Sequence, residues 1–155
     1  MSVENLTTLT SSALTDLKSL ASTVTFDSKN RRVGANGIDN MSVYLKSRWY
    51  DWTSDQTTTF KDALGSTHVE KSVVGWFLQL PANTGFLDTM DYWNDNGIAG
   101  KVVAYSLTNS NNITVDGTTY TVNEGEGIKF SLNLIHEIAT SPNKREWACL
   151  MLMEN

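Results

Sequence analysis

The sequence predicts a mostly β fold, a double-stranded β-helix or jelly roll of about eight strands with N-terminal helices packed outside it. Two observations carry this prediction. Residues 1–68 contain segments with the periodicity of amphipathic helices, whereas from residue 69 onward short apolar or alternating runs are separated by Asn, Asp and Gly clusters. The 155 residues fit a single domain, with a helical region at 1–68 packed on a jelly-roll core at 69–154.

Two helices are predicted in the N-terminal region. Apolar residues recur at helical spacing across 6–21, where Ser2 is a candidate N-cap and Glu4 lies in the first turn. The polar face of this helix is rich in Thr, a poor helix former, so its stability must come from docking on the rest of the domain. A second helix is expected to begin after Ser54, which caps it, and to end at Gly65.

Short strands are predicted for the rest of the chain, in the pattern of a sandwich or barrel. The strongest local signal is Asp116-Gly117, because this dipeptide supplies the two positive-φ positions of a type I′ turn and predicts a hairpin. The predicted strands cover 73–80, 86–93, 101–107, 112–115, 118–123, 127–132, 134–140 and 146–153.

Composition and charge exclude several classes of partner. The formal net charge is -5 and no Lys/Arg run extends beyond Arg31-Arg32, whereas nucleic-acid binding needs a clustered basic face. No stretch has the roughly 18 apolar residues of a membrane span, and the N-terminus lacks the pattern of a signal peptide. We therefore expect a cytoplasmic protein whose partner is a small-molecule ligand or a protein substrate. Oligomer formation stays open.

Two residues in the last third of the chain have side chains suited to a binding site. His136 lies in a predicted apolar strand, and Arg145 lies at the start of the next one. A non-haem Fe(II) centre uses two imidazoles and one carboxylate on one face, and a guanidinium fork binds a carboxylate through two parallel hydrogen bonds. Because the two strands are adjacent in sequence, we expect both side chains to point into one mouth of the barrel.

The order of features in this region resembles a known family. A Gly-Glu-Gly turn at 125–127 leads into an apolar strand, and His136, a Pro-Asn turn and Arg145 follow. This order resembles the C-terminal half of the Fe(II)/2-oxoglutarate-dependent oxygenases, in particular the aspartyl/asparaginyl β-hydroxylase type, whose barrel is of the cupin kind. The resemblance covers roughly 70–153. It implies that His136 is a metal ligand, that Arg145 anchors the distal carboxylate of 2-oxoglutarate, and that the cofactors are Fe(II) and 2-oxoglutarate.

The sequence departs from the family pattern at the other metal ligands. The family takes them from a His-x-Asp or His-x-Glu motif at the end of the second strand, which matches 85–93 here. Asp91 stands at the carboxylate position, but Thr89 stands where the His is expected. A Thr hydroxyl is a weak neutral ligand, so the metal site implied by the resemblance is incomplete. Asp88 is a weaker candidate that would give a harder ligand set, suited to Mn or Mg at least as well as to Fe(II).

Each candidate residue also has an interpretation without a ligand. His136 shares its face with apolar neighbours and is equally compatible with a hydrogen-bonded core histidine. Arg145 follows a turn and fits a solvated cation, and Asp91 fits a solvated loop. His68 forms a His-x-Glu triplet, but it precedes the first predicted jelly-roll strand and is expected in an exposed turn.

Three functional hypotheses follow from these observations. We favour a degenerate 2-oxoglutarate-oxygenase-like or cupin-like jelly roll that binds a small anionic or polar ligand in the barrel mouth. The first alternative is an active Fe(II)- and 2-oxoglutarate-dependent hydroxylase. The second is a structural jelly roll of a viral or other assembly. The sequence assigns no catalytic residue, and it leaves open whether the protein is an enzyme.

Overall fold

Two antiparallel β-sheets face each other across an apolar interior, and two helices lie outside the larger sheet. The computed structural model describes residues 3–24, 27–30, 42–47, 52–65, 68, 72–80, 82, 84–88, 100–109, 111–131, 134 and 136–152, with the backbone alone for 27–30, 42–47, 84–88, 136, 137 and 140. The elements in chain order are β1 (Val3–Asn5), α1 (Ser11–Thr23), β2 (Asp27–Asn30), β3 (Ser42–Ser47), α2 (Ser54–Leu64), β4 (Ser72–Leu80), β5 (Thr84–Asp88), β6 (Lys101–Ser106), β7 (Asn111–Val115), β8 (Thr118–Val122), β9 (Gly127–Ser131), β10 (His136–Ser141) and β11 (Arg145–Leu152).

The strand order confirms the predicted jelly roll. The larger sheet has the order β1-β9-β6-β11-β4-β3-β2, and the smaller has the order β5-β10-β7-β8. From β4 to β11 the chain passes to the opposite sheet at every connection except the one between β7 and β8. All eight predicted jelly-roll strands are present as β4 to β11.

The exception is the predicted hairpin. Asp116 has φ 49° and Gly117 has φ 82°, the two positive values that a type I′ turn requires. The strands β7 and β8 pair directly on either side of this turn. On their exposed face the Thr114 and Thr119 hydroxyls are 2.8 Å apart and hydrogen-bonded, which reinforces the pairing.

The first predicted helix begins later than expected. The candidate cap at Ser2 was wrong, because Val3–Asn5 forms a strand that pairs with β9. The helix α1 begins at Ser11, and the Thr10 hydroxyl accepts a hydrogen bond of 3.1 Å from the Ala13 N–H. The apolar residues before Thr10 therefore lie outside α1 and do not form an earlier turn of it.

The second predicted helix is correct to within one residue. Thr53 and not Ser54 is the N-cap, and it forms a capping box with Gln56 in which each side chain binds the other's backbone N–H. The helix ends before Gly65, whose φ of 97° is unfavourable for residues with a side chain. No helix in the described ranges is long and apolar enough to cross a bilayer.

The N-terminal region also contributes strands, so it is not purely helical as predicted. Besides β1, the strand β3 pairs with the outer edge of β4, and β2 pairs with β3. These additions extend the larger sheet to seven strands.

Apolar side chains fill two layers, one on each face of the larger sheet. In β11, Trp147 and Cys149 face the smaller sheet, whereas Ala148 and Leu150 face the helices. Alternate residues of a strand point to opposite faces, so burial on both faces produces the continuous apolar run seen in β11. Burial also raises the pKa of the Cys149 thiol, as expected for a small apolar core residue.

Candidate ligand site between the sheets

Two positions of the predicted metal site lie side by side in the smaller sheet. His136 begins β10 and is paired with Asp88, the last residue of β5, on one side and with Val115 on the other. Residues that are directly opposite on antiparallel strands share a face of the sheet. Val115 is buried in the layer between the sheets, as is Ile138 two residues after His136. Positions 88 and 136 therefore lie on the inner face.

The other two positions of the predicted metal motif, Thr89 and Asp91, lie outside the described residues. Among the side chains that the structure describes, no group of three or more His, Cys, Asp and Glu residues could hold a metal ion. The assignment of Asp91 and His136 as ligands stays a prediction.

Arg145 is buried between the sheets. Its side chain is only 1% exposed, so it is not the solvated turn cation that its sequence context also allowed. The Nη1 group donates a hydrogen bond to the carbonyl oxygen of Ala139 in β10. Burial lowers the pKa of Arg145 because it disfavours the charged form, although a guanidinium keeps its charge in proteins at neutral pH.

The backbones of His136 and Arg145 do not lie at the same end of the fold. This differs from the expectation that residues at the starts of two consecutive strands share one mouth of the barrel. The strand β10 begins at His136 and ends at Ser141, and only residues 142–144 separate it from β11. Arg145 therefore starts beside the far end of β10. Its long side chain reaches back to Ala139, which is three residues from His136, or about 10 Å along an extended strand.

A β-bulge lies where Arg145 contacts β10. The pairing between β10 and β5 shifts register between Ile138 and Ser141, a stretch that includes Ala139. A bulge interrupts the regular ladder of backbone hydrogen bonds, and bulges are common next to binding sites. The carbonyl that accepts from Arg145 is therefore in an irregular part of the strand.

Sequence reasoning missed a group of buried polar residues around Arg145. Asn111 is 0% exposed, and its Nδ2 group donates to Ser106 Oγ at 2.7 Å and to Thr108 Oγ1 at 3.1 Å. Ser106 in turn pairs with Trp147 across β6 and β11. We call Ser106, Asn111, Arg145 and Trp147 the polar cluster. Strand alternation could have found it, since Asn111 shares the inward face of β7 and Arg145 that of β11.

Asn111 and Trp147 each have one buried polar atom without a hydrogen-bond partner among the described residues. Within the described part of the chain, Asn111 Oδ1 accepts no hydrogen bond and Trp147 Nε1 donates none, although both atoms are buried. Buried polar atoms are nearly always hydrogen-bonded, because leaving one unpaired costs about 1–3 kcal/mol. The polar cluster therefore has the chemistry of a site for a polar group.

A cavity lies elsewhere, on the outer side of the seven-stranded sheet. It has a volume of about 660 Å³, and its lining includes residues of α1 together with 107–109, Lys144 and Glu146. Charges in its lining are paired with each other, Lys18 with Glu124 at 2.9 Å and Lys144 with Glu146 at 3.6 Å. None of the four residues of the polar cluster lines this cavity, although Thr108, which accepts from Asn111, does.

Comparison with solved structures identifies the fold. The carbocyclase SnoK from nogalamycin biosynthesis, a non-heme alpha-ketoglutarate-dependent enzyme, superposes with a TM-score of 0.69 at 7% identity, over 99% of this chain and 79% of that chain. A 2OG-Fe(II) oxygenase-family oxidoreductase from Burkholderia pseudomallei has a TM-score of 0.64 at 12% identity, over 99% and 86%. The Schizosaccharomyces pombe Cnp3 cupin domain has a TM-score of 0.53 at 9% identity, over 86% and 72%.

The fold is that of the 2-oxoglutarate oxygenases and cupins. At these identities the similarity establishes the oxygenase-like and cupin-like barrel and not a particular activity. The aspartyl/asparaginyl hydroxylase type stays a prediction. No protein-family model matches the sequence, and no curated protein has a significant sequence match.

The residues at the predicted ligand positions do not fit the iron site of the 2-oxoglutarate oxygenases. The three positions that the resemblance predicts for ligands have His136, Asp91 and Thr89, so a hydroxyl stands where the second imidazole is expected. The chain has only two histidines, and the other, His68, precedes β4 and is outside the family motif. Arg145, in contrast, is a residue type that suits a carboxylate, because a guanidinium is a planar fork of donors.

Proposed function

We propose that this protein binds a small carboxylate between its two sheets, at Arg145, as a degenerate relative of the 2-oxoglutarate oxygenases. The observation that carries the proposal is the burial of the Arg145 guanidinium inside the barrel. A planar guanidinium binds a carboxylate through two parallel hydrogen bonds, and burial keeps out the water that would compete for those bonds.

The position of Arg145 also supports a ligand that extends toward the start of β10. Its guanidinium contacts Ala139, which lies on the same strand as His136. Along this strand Ala139 and His136 are about 10 Å apart. A short dicarboxylate held by Arg145 would extend along the inner face toward positions 88 and 136. In this proposal a metal is bound weakly or not at all, because the second imidazole is replaced by Thr89.

Calorimetric titration with succinate and with 2-oxoglutarate tests the proposal. We expect both to bind to the wild-type protein. Binding should weaken by about tenfold or more in Arg145→Lys, which keeps a cation but loses the fork, with a further loss in Arg145→Met. Lys144→Met is the matched control, since this neighbouring cation is exposed and its removal should leave the affinity unchanged.

Three results would overturn the proposal. One is equal affinity in the wild type and in folded Arg145 variants, which would place the ligand elsewhere. Another is succinate formation from 2-oxoglutarate together with tight binding of Fe(II), which would establish the active hydroxylase. The third is absence of any carboxylate binding at millimolar concentration, which would favour the structural jelly roll.

A further inference from the structure

The unpaired atoms of the polar cluster define what kind of carboxylate the site prefers. We infer that the ligand carries a hydroxyl group next to its carboxylate, as 2-hydroxy dicarboxylates do. This inference rests on the proposed carboxylate site at Arg145 and narrows its ligand class.

The first step concerns the donors. Trp147 follows Arg145 by two residues in β11, so both side chains lie on the inner face. Trp147 is 1% exposed, and its Nε1 group has no acceptor among the described residues. An indole N–H can only donate a hydrogen bond. A carboxylate oxygen beside Arg145 would supply the acceptor that Trp147 lacks.

The second step concerns the acceptor. The Asn111 Nδ2 group donates to the Thr108 carbonyl oxygen at 3.3 Å, and that oxygen can only accept. This contact fixes the orientation of the Asn111 amide, because the reversed amide would place two acceptors together. The opposite end of the amide is therefore Oδ1, an acceptor that needs a donor from outside the described chain.

The third step is that these groups surround one region. Asn111 binds Ser106, which is paired with Trp147 in the larger sheet. In the smaller sheet, Asn111 lies two residues before the Ile113–Ile138 pair, which places it beside the bulge of β10. Arg145 reaches the same bulge. The contacts thus join β6, β7, β10 and β11 around the guanidinium.

The chemistry of the ligand follows from this arrangement. Succinate and 2-oxoglutarate are acceptors only when ionised, so they would satisfy Trp147 and leave Asn111 Oδ1 unpaired. A ligand ammonium would supply a donor, but it would place a second cation beside Arg145, which is unfavourable. A hydroxyl supplies the donor without charge. A carboxylate with a hydroxyl on a neighbouring carbon therefore complements all three groups.

Malate and succinate provide a direct comparison, because they differ by one hydroxyl and have the same length and charge. We expect calorimetry to show that one malate enantiomer binds the wild-type protein about tenfold more tightly than succinate. This difference in affinity is what one additional buried hydrogen bond contributes. Aspartate should bind more weakly than malate. In Asn111→Leu the preference for malate should disappear. In Trp147→Phe both ligands should weaken together, so that their ratio stays unchanged.

The outcomes separate this inference from the proposed function. Equal affinity for malate and succinate in the wild type would overturn the hydroxyl inference and leave the Arg145 site standing; this result is expected if a water molecule bridges Trp147 and Asn111. Failure of both ligands to bind would overturn the proposed function itself. A malate preference that persists in Asn111→Leu would show that another residue reads the hydroxyl. If Asn111→Leu does not fold, the wild-type ratio and Trp147→Phe still decide the question.

Discussion

At the scale of single residues, the direction in which a strand position points determines which polar side chains are buried between the sheets. Arg145 follows a turn with the exposed cation Lys144, yet the two neighbours differ completely in burial. The difference arises because Arg145 has the same strand parity as Trp147 and Cys149, whose side chains fill the space between the sheets. Position along the strand, and not the local polarity of the sequence, decides which cation is inside.

Replacing Thr89 with His tests whether the barrel retains the geometry of a metal site. The substitution restores the His-x-Asp motif that ends with Asp91, and the backbone already places His136 opposite Asp88 at the end of β5. A third ligand held by the scaffold adds coordination energy at little entropic cost. We therefore expect Thr89→His to bind Fe(II), Co(II) or Zn(II) at least tenfold more tightly than the parent, measured by calorimetry.

The control is Thr89→His combined with His136→Ala, which should abolish the gain because two protein ligands would remain. If Thr89→His folds normally and binds metal no better than the parent, these positions are not a metal site that has lost a ligand. The hypothesis of a structural jelly roll would then be favoured over that of a former metal site.

At the scale of elements, the sequence predicted those strands that have a recognisable pattern of apolar residues or a characteristic turn. The strands β4 to β11 were all found, because burial on one or both faces leaves apolar or alternating runs, and the Asp116-Gly117 turn has one favoured geometry. The strands β1, β2 and β3 were missed. Each is short and adds to the edge of another strand, so its conformation is decided by tertiary pairing that a local pattern does not contain.

The capping box of α2 provides a stability prediction at this scale. The Thr53 hydroxyl accepts from Gln56 N at 3.1 Å, and the Gln56 side chain accepts from Thr53 N at 2.9 Å. Thr53→Ala should lower the free energy of unfolding by about 1 kcal/mol, read from the urea midpoint. Thr58→Ala is the matched control on an exposed position within α2, and it should be neutral or slightly stabilising because Ala has the higher helix propensity. Equal effects of the two substitutions would contradict the capping role.

At the scale of the whole molecule, the candidate site depends on the jelly-roll connections. The polar cluster joins residues from β6, β7 and β11 with a carbonyl of β10, and these strands belong to two different sheets. The sequence identified Arg145 through a family pattern, but Asn111 and Trp147 became candidates only when the topology brought them together. The identity of a side chain can be taken from the sequence, but which side chains from the two sheets meet is known only from the fold.

The larger sheet also has a buried ionisable group on each face, and this arrangement predicts instability in alkali. Cys149 lies between the sheets and Tyr105 lies under the helices. Burial raises the pKa of both groups. The folded state therefore keeps protons that the unfolded state releases, so stability is complete below the unfolded pKa values and falls as the pH rises above them. For Cys149 the fall should begin near pH 8.5, with a limiting slope of about 1.4 kcal/mol per pH unit, and Tyr105 should add to it above about pH 10.

Urea unfolding at several values between about pH 7.5 and 10 measures this slope directly. Cys149→Ala lacks the thiol and should unfold with a clearly shallower pH dependence in this range, even if its stability at neutral pH is lower because of the lost volume. Tyr105→Phe should keep the slope that Cys149 causes, since it removes only the phenol, which donates to the Thr7 carbonyl oxygen at 3.1 Å. The other ionisable residues are common to all three proteins, so their contributions cancel in the comparison. An identical slope in the wild type and Cys149→Ala would mean that the thiol does not stay protonated in the folded state, and that the layer between the sheets admits water at β11.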